Sequence, residues 1–305
     1  MGGGSWTAKA YVNHSTSVRG FATMDEFYKA STSQLYTVNK IKDMFVPMNV
    51  MRECCDSDEH KSTIPVILAL DVTGSMGKTA NYIAKHLDTI MKQLFDQVTD
   101  VEFCIMGIGD IDYDDAPIQI GQFESDIRIA SQLENLYFER GGGGNSCESY
   151  TAAWYMAARH TKCDCWTRTN SGVFAGTKGI IITMGDEPLN MELRSARMTD
   201  LTGDKLQSNV KTQNLYKEVC EKWNVFHIAV DGGYENCYER YKDRIQSSFG
   251  SVLGQDLIVS TVDGLEEKIP KLIIDTVHSD RHFIKKQITP EEFVEKKDNS
   301  PYVNW

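Results

Sequence analysis

The sequence predicts an α/β fold, with a doubly wound, mostly parallel central sheet and helices on both faces. Three observations lead there. Four short apolar runs (64–70, 101–108, 179–184 and 225–230) are continuous rather than alternating, as in strands buried on both faces. Between them lie stretches whose apolar residues recur at helical spacing. The connections are long enough for crossover helices, which imply parallel pairing.

Residues 1–61 read as an N-terminal extension, glycine-rich and polar at first. One helix is expected over about 24–44. Thr23 and Glu26 stand at capping-box spacing ahead of it, and Leu35, Val38, Ile41 and Phe45 lie close to one face. That face should pack on the domain, and 53–61 is a polar connection. The main domain spans 62–278. Its first strand, 64–70, leads into a helix over 76–95 with Ile83, Leu87, Ile90, Met91 and Leu94 in helical register. A strand over 101–108, a short edge strand over 118–123 and a helix over 125–138 follow. Four glycines, Gly141 to Gly144, precede a helix over about 148–160. Next come a polar excursion (161–177), strands at 179–184 and 225–230, a weaker strand at 257–262 and a closing helix over 264–277. Residues 279–305 form a charged tail without clear periodicity.

A net charge of −11 disfavours nucleic acid and anionic lipid as partners. No apolar stretch approaches the roughly 20 residues that a membrane span needs. The N-terminus lacks the basic and apolar regions of an export signal, and Trp6 breaks the myristoylation pattern after Gly2. The eight cysteines form no Cys-x-x-Cys pair, so reduced thiols in a cytoplasmic protein are expected.

Parallel doubly wound sheets bind ligands at the carboxyl ends of their strands. The first strand ends Leu70-Asp71-Val72-Thr73-Gly74-Ser75. A carboxylate and two hydroxyls at alternate positions, on a turn entering a helix, can point at one spot. Such oxygens suit a hard divalent cation. A helix cap would need one such residue, not three. Asp71, Thr73 and Ser75 are therefore the first candidate metal ligands.

This Asp-x-Thr-Gly-Ser is similar to the Asp-x-Ser-x-Ser core of the metal-ion-dependent adhesion site in von Willebrand factor A domains. The resemblance spans about 62–278 and extends to cytoplasmic bacterial members. It implies ligands from two further loops. In 141–149, Asn145 takes the place of the family's Thr or Asp, and Glu148 follows; Glu139 is a weaker alternative. In Ile182-Thr183-Met184-Gly185-Asp186-Glu187 the acid comes two residues later than usual, and Asp186 is favoured over Glu187. The resemblance further implies Mg²⁺ or Mn²⁺, with Ca²⁺ less favoured, and an open coordination position for an acidic residue of a partner protein. Intracellular members often serve AAA+ ATPases, which gives the implied partner class for an adaptor.

Other readings are weaker. Gly74 to Thr79 superficially resembles a phosphate-binding loop, but the required first glycine falls at Val72. No Ser-His-Asp or Cys-His pattern suggests an enzyme, and a metal that merely staples the fold is a further alternative. The acidic run Asp110 to Asp115 lacks the glycine and glutamate of a calcium loop, and a solvated turn near the site is expected. His160, Cys163 and Cys165 lack a fourth zinc ligand. Trp154, Tyr155, Trp166 and Phe174 read as packing rather than as a base-stacking surface.

Overall fold

The computed structural model describes residues 4–139, 147–170, 173–174, 176–233 and 236–287. Its centre is a six-stranded sheet of β1 (Ile64–Asp71), β2 (Val101–Ile108), β3 (Ile118–Ile120), β4 (Gly179–Gly185), β5 (Trp223–Asp231) and β6 (Leu257–Thr261). The strand order is β6-β5-β4-β1-β2-β3. Every neighbouring pair is parallel except β3, which runs antiparallel to β2 at the edge. The expected fold class is thus found. From β1 the chain winds one way through β2 and β3 and the other way through β4, β5 and β6. The order reverses between β1 and β4, which opens a crevice at their carboxyl ends.

The extension contains α1 (Ala8–Asn13), α2 (Met24–Lys29) and α3 (Thr32–Leu35). The domain adds α4 (Gly77–Phe95), α5 (Arg128–Glu134), α6 (Thr151–Arg159), α7 (Ser195–Thr202), α8 (Thr212–Val219), α9 (Cys237–Leu253) and α10 (Leu265–Gln287). Alternation along β1 explains how both faces are filled. Val66, Leu68 and Leu70 join a core with Ile83, Leu87 and Ile90 of α4 and Ile269 and Ile273 of α10. Ile67 and Ala69 join a second core with Trp154 and Tyr155 of α6, Leu215 of α8 and Phe249 of α9.

The single helix expected over 24–44 is broken. α2 stops at Ala30, whose ψ of 139° is extended, and Ser31 opens α3 through a capping box with Gln34. The hydroxyls of Ser31, Thr32 and Ser33 compete for backbone groups and favour such a restart. The extension nonetheless packs on the domain. Tyr11, Phe27, Leu35 and Phe45 are buried in the α4-side core. Tyr11 and Tyr36 donate to the α4 carbonyls of Ala84 and Ala80 at 2.7 and 2.9 Å. Thr161–Cys163, expected in a polar excursion, instead pairs in parallel with Arg52–Cys54 and buries Cys163 and Cys165. α10 continues past the expected tail boundary at 279. Among the described residues no helix is long and apolar enough to cross a membrane.

Candidate metal centre

Asp71 is the last residue of β1 and is fully buried. Its Oδ1 accepts from the Thr73 amide at 2.9 Å and from the Thr73 hydroxyl, the local closure typical of an aspartate opening a turn. Its Oδ2 accepts from the Tyr150 hydroxyl at 2.9 Å. Thr73 Oγ1 lies 3.4 Å from Ser75 Oγ, which stands on the short 3₁₀ turn Gly74–Met76 before α4. Ser75 Oγ in turn donates to Asp186 Oδ1 at 2.9 Å. Asp186 immediately follows β4, the neighbour of β1 across the crevice. The structure therefore brings Asp71, Thr73, Ser75 and Asp186 into one continuous chain of contacts at the switch point. Asp186 Oδ2 is buried without a hydrogen-bond partner. A Cβ added to Gly233, just after β5, would stand 3.1 Å from it, so Gly233 lies close against this oxygen.

Glu148 is buried, and its amide donates to Pro188 O at 3.1 Å, strapping the approach to α6 onto the loop after β4. Its Oε2 is also buried without a hydrogen-bond partner. Glu139 is committed elsewhere, since its Oε1 accepts from the Ala116 amide at 2.9 Å. Asn145 and the four glycines lie outside the described residues.

Burial, and then the charge of Asp186, raise the Asp71 carboxyl above its ordinary range. Burial, with Glu187 adding to it, does the same to Asp186. Burial and Asp71 raise Glu148 well above the usual value, and together they push Glu187 up to about 7. Arg244 and Arg240 pull Glu187 the other way without offsetting this. Such acids shed their cost by taking up protons or by gaining a cation. Among the described residues no three His, Cys, Asp or Glu side chains converge as a ligand set. An ion here would be held by mixed carboxylate and hydroxyl oxygens, a set that fits Mg²⁺ and Mn²⁺ and disfavours soft metals.

The acidic run departs from expectation, because Asp110 and Asp114 are buried rather than solvated. Asp114 Oδ2 accepts from the Asp110 amide at 2.7 Å, and Asp110 Oδ1 from the Asp112 amide at 2.9 Å. Buried Ile111 draws the turn inward, and its amide donates to Ser149 Oγ at 3.1 Å. Sequence reasoning also missed Tyr150, whose phenol bonds Asp71. A tyrosine one residue before a helix carries no signal of such a role. His160 is engaged by Val50 O and Asp204. Trp154 and Tyr155 are fully buried in the core.

No protein-family model matches the sequence, and no curated protein matches it. Solved structures similar to the chain include the pilus adhesin SpaC of Lactobacillus rhamnosus GG, 12% identical with a TM-score of 0.44. Others are the proximal thread matrix protein 1 of mussel byssus, also 12% identical at 0.44, and the conserved hypothetical protein BatB of Bacteroides thetaiotaomicron, 15% identical at 0.39. The matches cover 73%, 74% and 72% of this chain and 31%, 49% and 99% of those chains. The chain thus spans less than half of the first two. At these identities and scores nothing functional is carried over from them.

Proposed function

We propose that the chain is a metal-dependent protein-binding module of the von Willebrand factor A type. In this reading Asp71, Thr73, Ser75 and Asp186 hold Mg²⁺ or Mn²⁺, and the loop bearing Asn145 and Glu148 completes the shell. The observation that carries it is Asp186. One of its oxygens takes the Ser75 hydroxyl, and the other is buried with no hydrogen-bond partner. An anionic oxygen left so is costly unless a cation meets it.

Asp71 Oδ1 is taken up by the Thr73 amide and hydroxyl, while Oδ2, accepting once from Tyr150, keeps a lone pair. The lone pairs left for a cation are then those of Asp71 Oδ2, of the Thr73 and Ser75 hydroxyls and of Asp186 Oδ2. Neutral hydroxyls neutralise a divalent charge incompletely. A bound cation would supply an electrophilic coordination position that an acidic residue of a partner protein can fill. A cytoplasmic adaptor working with an AAA+ ATPase is the partner class that the family resemblance adds.

Several features favour binding over catalysis. His14, His60 and His160 are engaged with Glu134, Asp100 and Asp204, and His227 with Thr183. Burial pushes the Cys147 and Cys237 thiols up to about 11 and about 12, which leaves little nucleophilic thiolate at neutral pH. Thr79 is buried within α4 and Lys78 donates to Gly232 O at 3.1 Å, so neither is presented as a phosphate-binding loop requires. The test is a pull-down from host lysate in Mg²⁺, in EDTA, and in Mg²⁺ with Thr73→Ala or Asp71→Ala. Partners should be retained only by the unaltered protein in Mg²⁺. Retention of the same proteins in all four conditions would contradict the proposal.

A further inference from the structure

We infer that Tyr150 is the positioning residue of this metal site, its one hydroxyl tying together three loops that frame the cation. The inference rests on the metal-binding reading above. Tyr150 enters from the loop ahead of α6 and is fully buried. Its hydroxyl donates to Asp71 Oδ2 at 2.9 Å, at the end of β1, and accepts from the Glu187 amide at 3.4 Å, just after β4. A phenol has a single proton to give, and here it goes to Asp71. The ring meets His227 edge-on, with centroids 4.8 Å apart, and packs at a tilt against Phe249 at 5.6 Å. Glycine at 185 admits the hydroxyl, since a Cβ there would stand 1.9 Å from the phenol oxygen.

With Thr73 holding Oδ1 and Tyr150 holding Oδ2, the Asp71 carboxylate has one orientation. That orientation aims the Thr73 hydroxyl and sets the end of β1 against the loop carrying Asp186. Partners of this kind order the groups that touch a metal before it arrives, and their loss weakens affinity by about 10- to 100-fold.

Tyr150→Phe keeps the ring and removes only the oxygen. Tyr155→Phe is the matched control, since Tyr155 is also buried and bonds Asp204, outside the contact chain that holds the site. Calorimetric titration with Mg²⁺ should show affinity at least about 10-fold weaker in Tyr150→Phe and within about twofold of the unaltered protein in Tyr155→Phe. Adding Mg²⁺ to the unaltered protein should also produce a tyrosine ultraviolet difference band that Tyr150→Phe lacks. Should that variant fail to fold, the band in the unaltered protein decides: its presence supports the inference and its absence overturns it. Unaltered affinity in Tyr150→Phe overturns the role of Tyr150 while leaving the metal site standing. An unaltered protein that binds no Mg²⁺ overturns both.

Discussion

Shielded carboxylates occur in two kinds of surroundings in this molecule. Away from the crevice, several meet cations. Arg159 grips Glu218 with two bonds of 2.7 and 2.8 Å and holds it below the usual carboxylate range. Burial works against Asp56, yet the Arg168 fork and the Thr63 donors lower it as well. Glu134 is met by His14 at 2.8 Å and Arg19 at 3.2 Å. At the ends of β1 and β4 the surroundings are reversed. Asp71, Asp186, Glu148 and Glu187 face hydroxyls, a phenol and one another, and all are raised. For Glu218, Asp56 and Glu134 an arginine or a histidine supplies the opposite charge. At the switch point Arg240 and Arg244 pull on Glu187 without offsetting its rise, so these acids shed their cost by taking up protons or by gaining a cation.

That contrast can be broken or sharpened by substitution. The largest effect is expected from Asp71→Ala, which should lose all measurable Mg²⁺ binding by calorimetry while staying folded in EDTA. Glu134→Ala should leave Mg²⁺ affinity unchanged. It should also destabilise the fold by about 3–5 kcal/mol in chemical denaturation, because it strands Arg19 and His14 in a buried setting. Asp186→Asn should behave in the opposite way. In EDTA at neutral pH it should stabilise the fold by roughly 1–2 kcal/mol, because it removes one of several adjacent buried charges. Equal losses from Glu134→Ala and Asp186→Asn would erase the distinction between the two regions. The smallest effect belongs to Glu218→Gln, a third exposed, which should cost less than about 1 kcal/mol and leave metal binding untouched.

Much of this was legible in the chain, for identifiable reasons. The runs that became β1, β2, β4 and β5 are too continuous for half-exposed strands, and their spacing forced crossovers. Asp71, Thr73 and Ser75 alternate at a strand end, and alternation is visible without coordinates. What stayed hidden depends on distant partners. Ser31 restarts the helix with Gln34, and only then does Thr32 reach Gly77 O at the start of α4, at 3.2 Å. Ile111 could bury its acidic neighbours only if a core waited beneath them. Tyr150 looks like any core aromatic until Gly185, 35 positions later, leaves room for its hydroxyl. The glycine stretch with Asn145 lies outside the described residues, so its contribution stays with the proposal.

The most direct test of the central claim is a calorimetric titration of Mg²⁺ into metal-free protein, paired with thermal unfolding in the same buffers. One site should saturate, and the melting temperature should rise with Mg²⁺ concentration, by an amount equivalent to about 2.7 kcal/mol at a hundredfold excess over Kd. Both signals should vanish in Asp71→Ala. A flat titration with the same melting temperature in Mg²⁺ and EDTA would mean that the raised acids at the switch point are simply protonated, and that the crevice holds no cation.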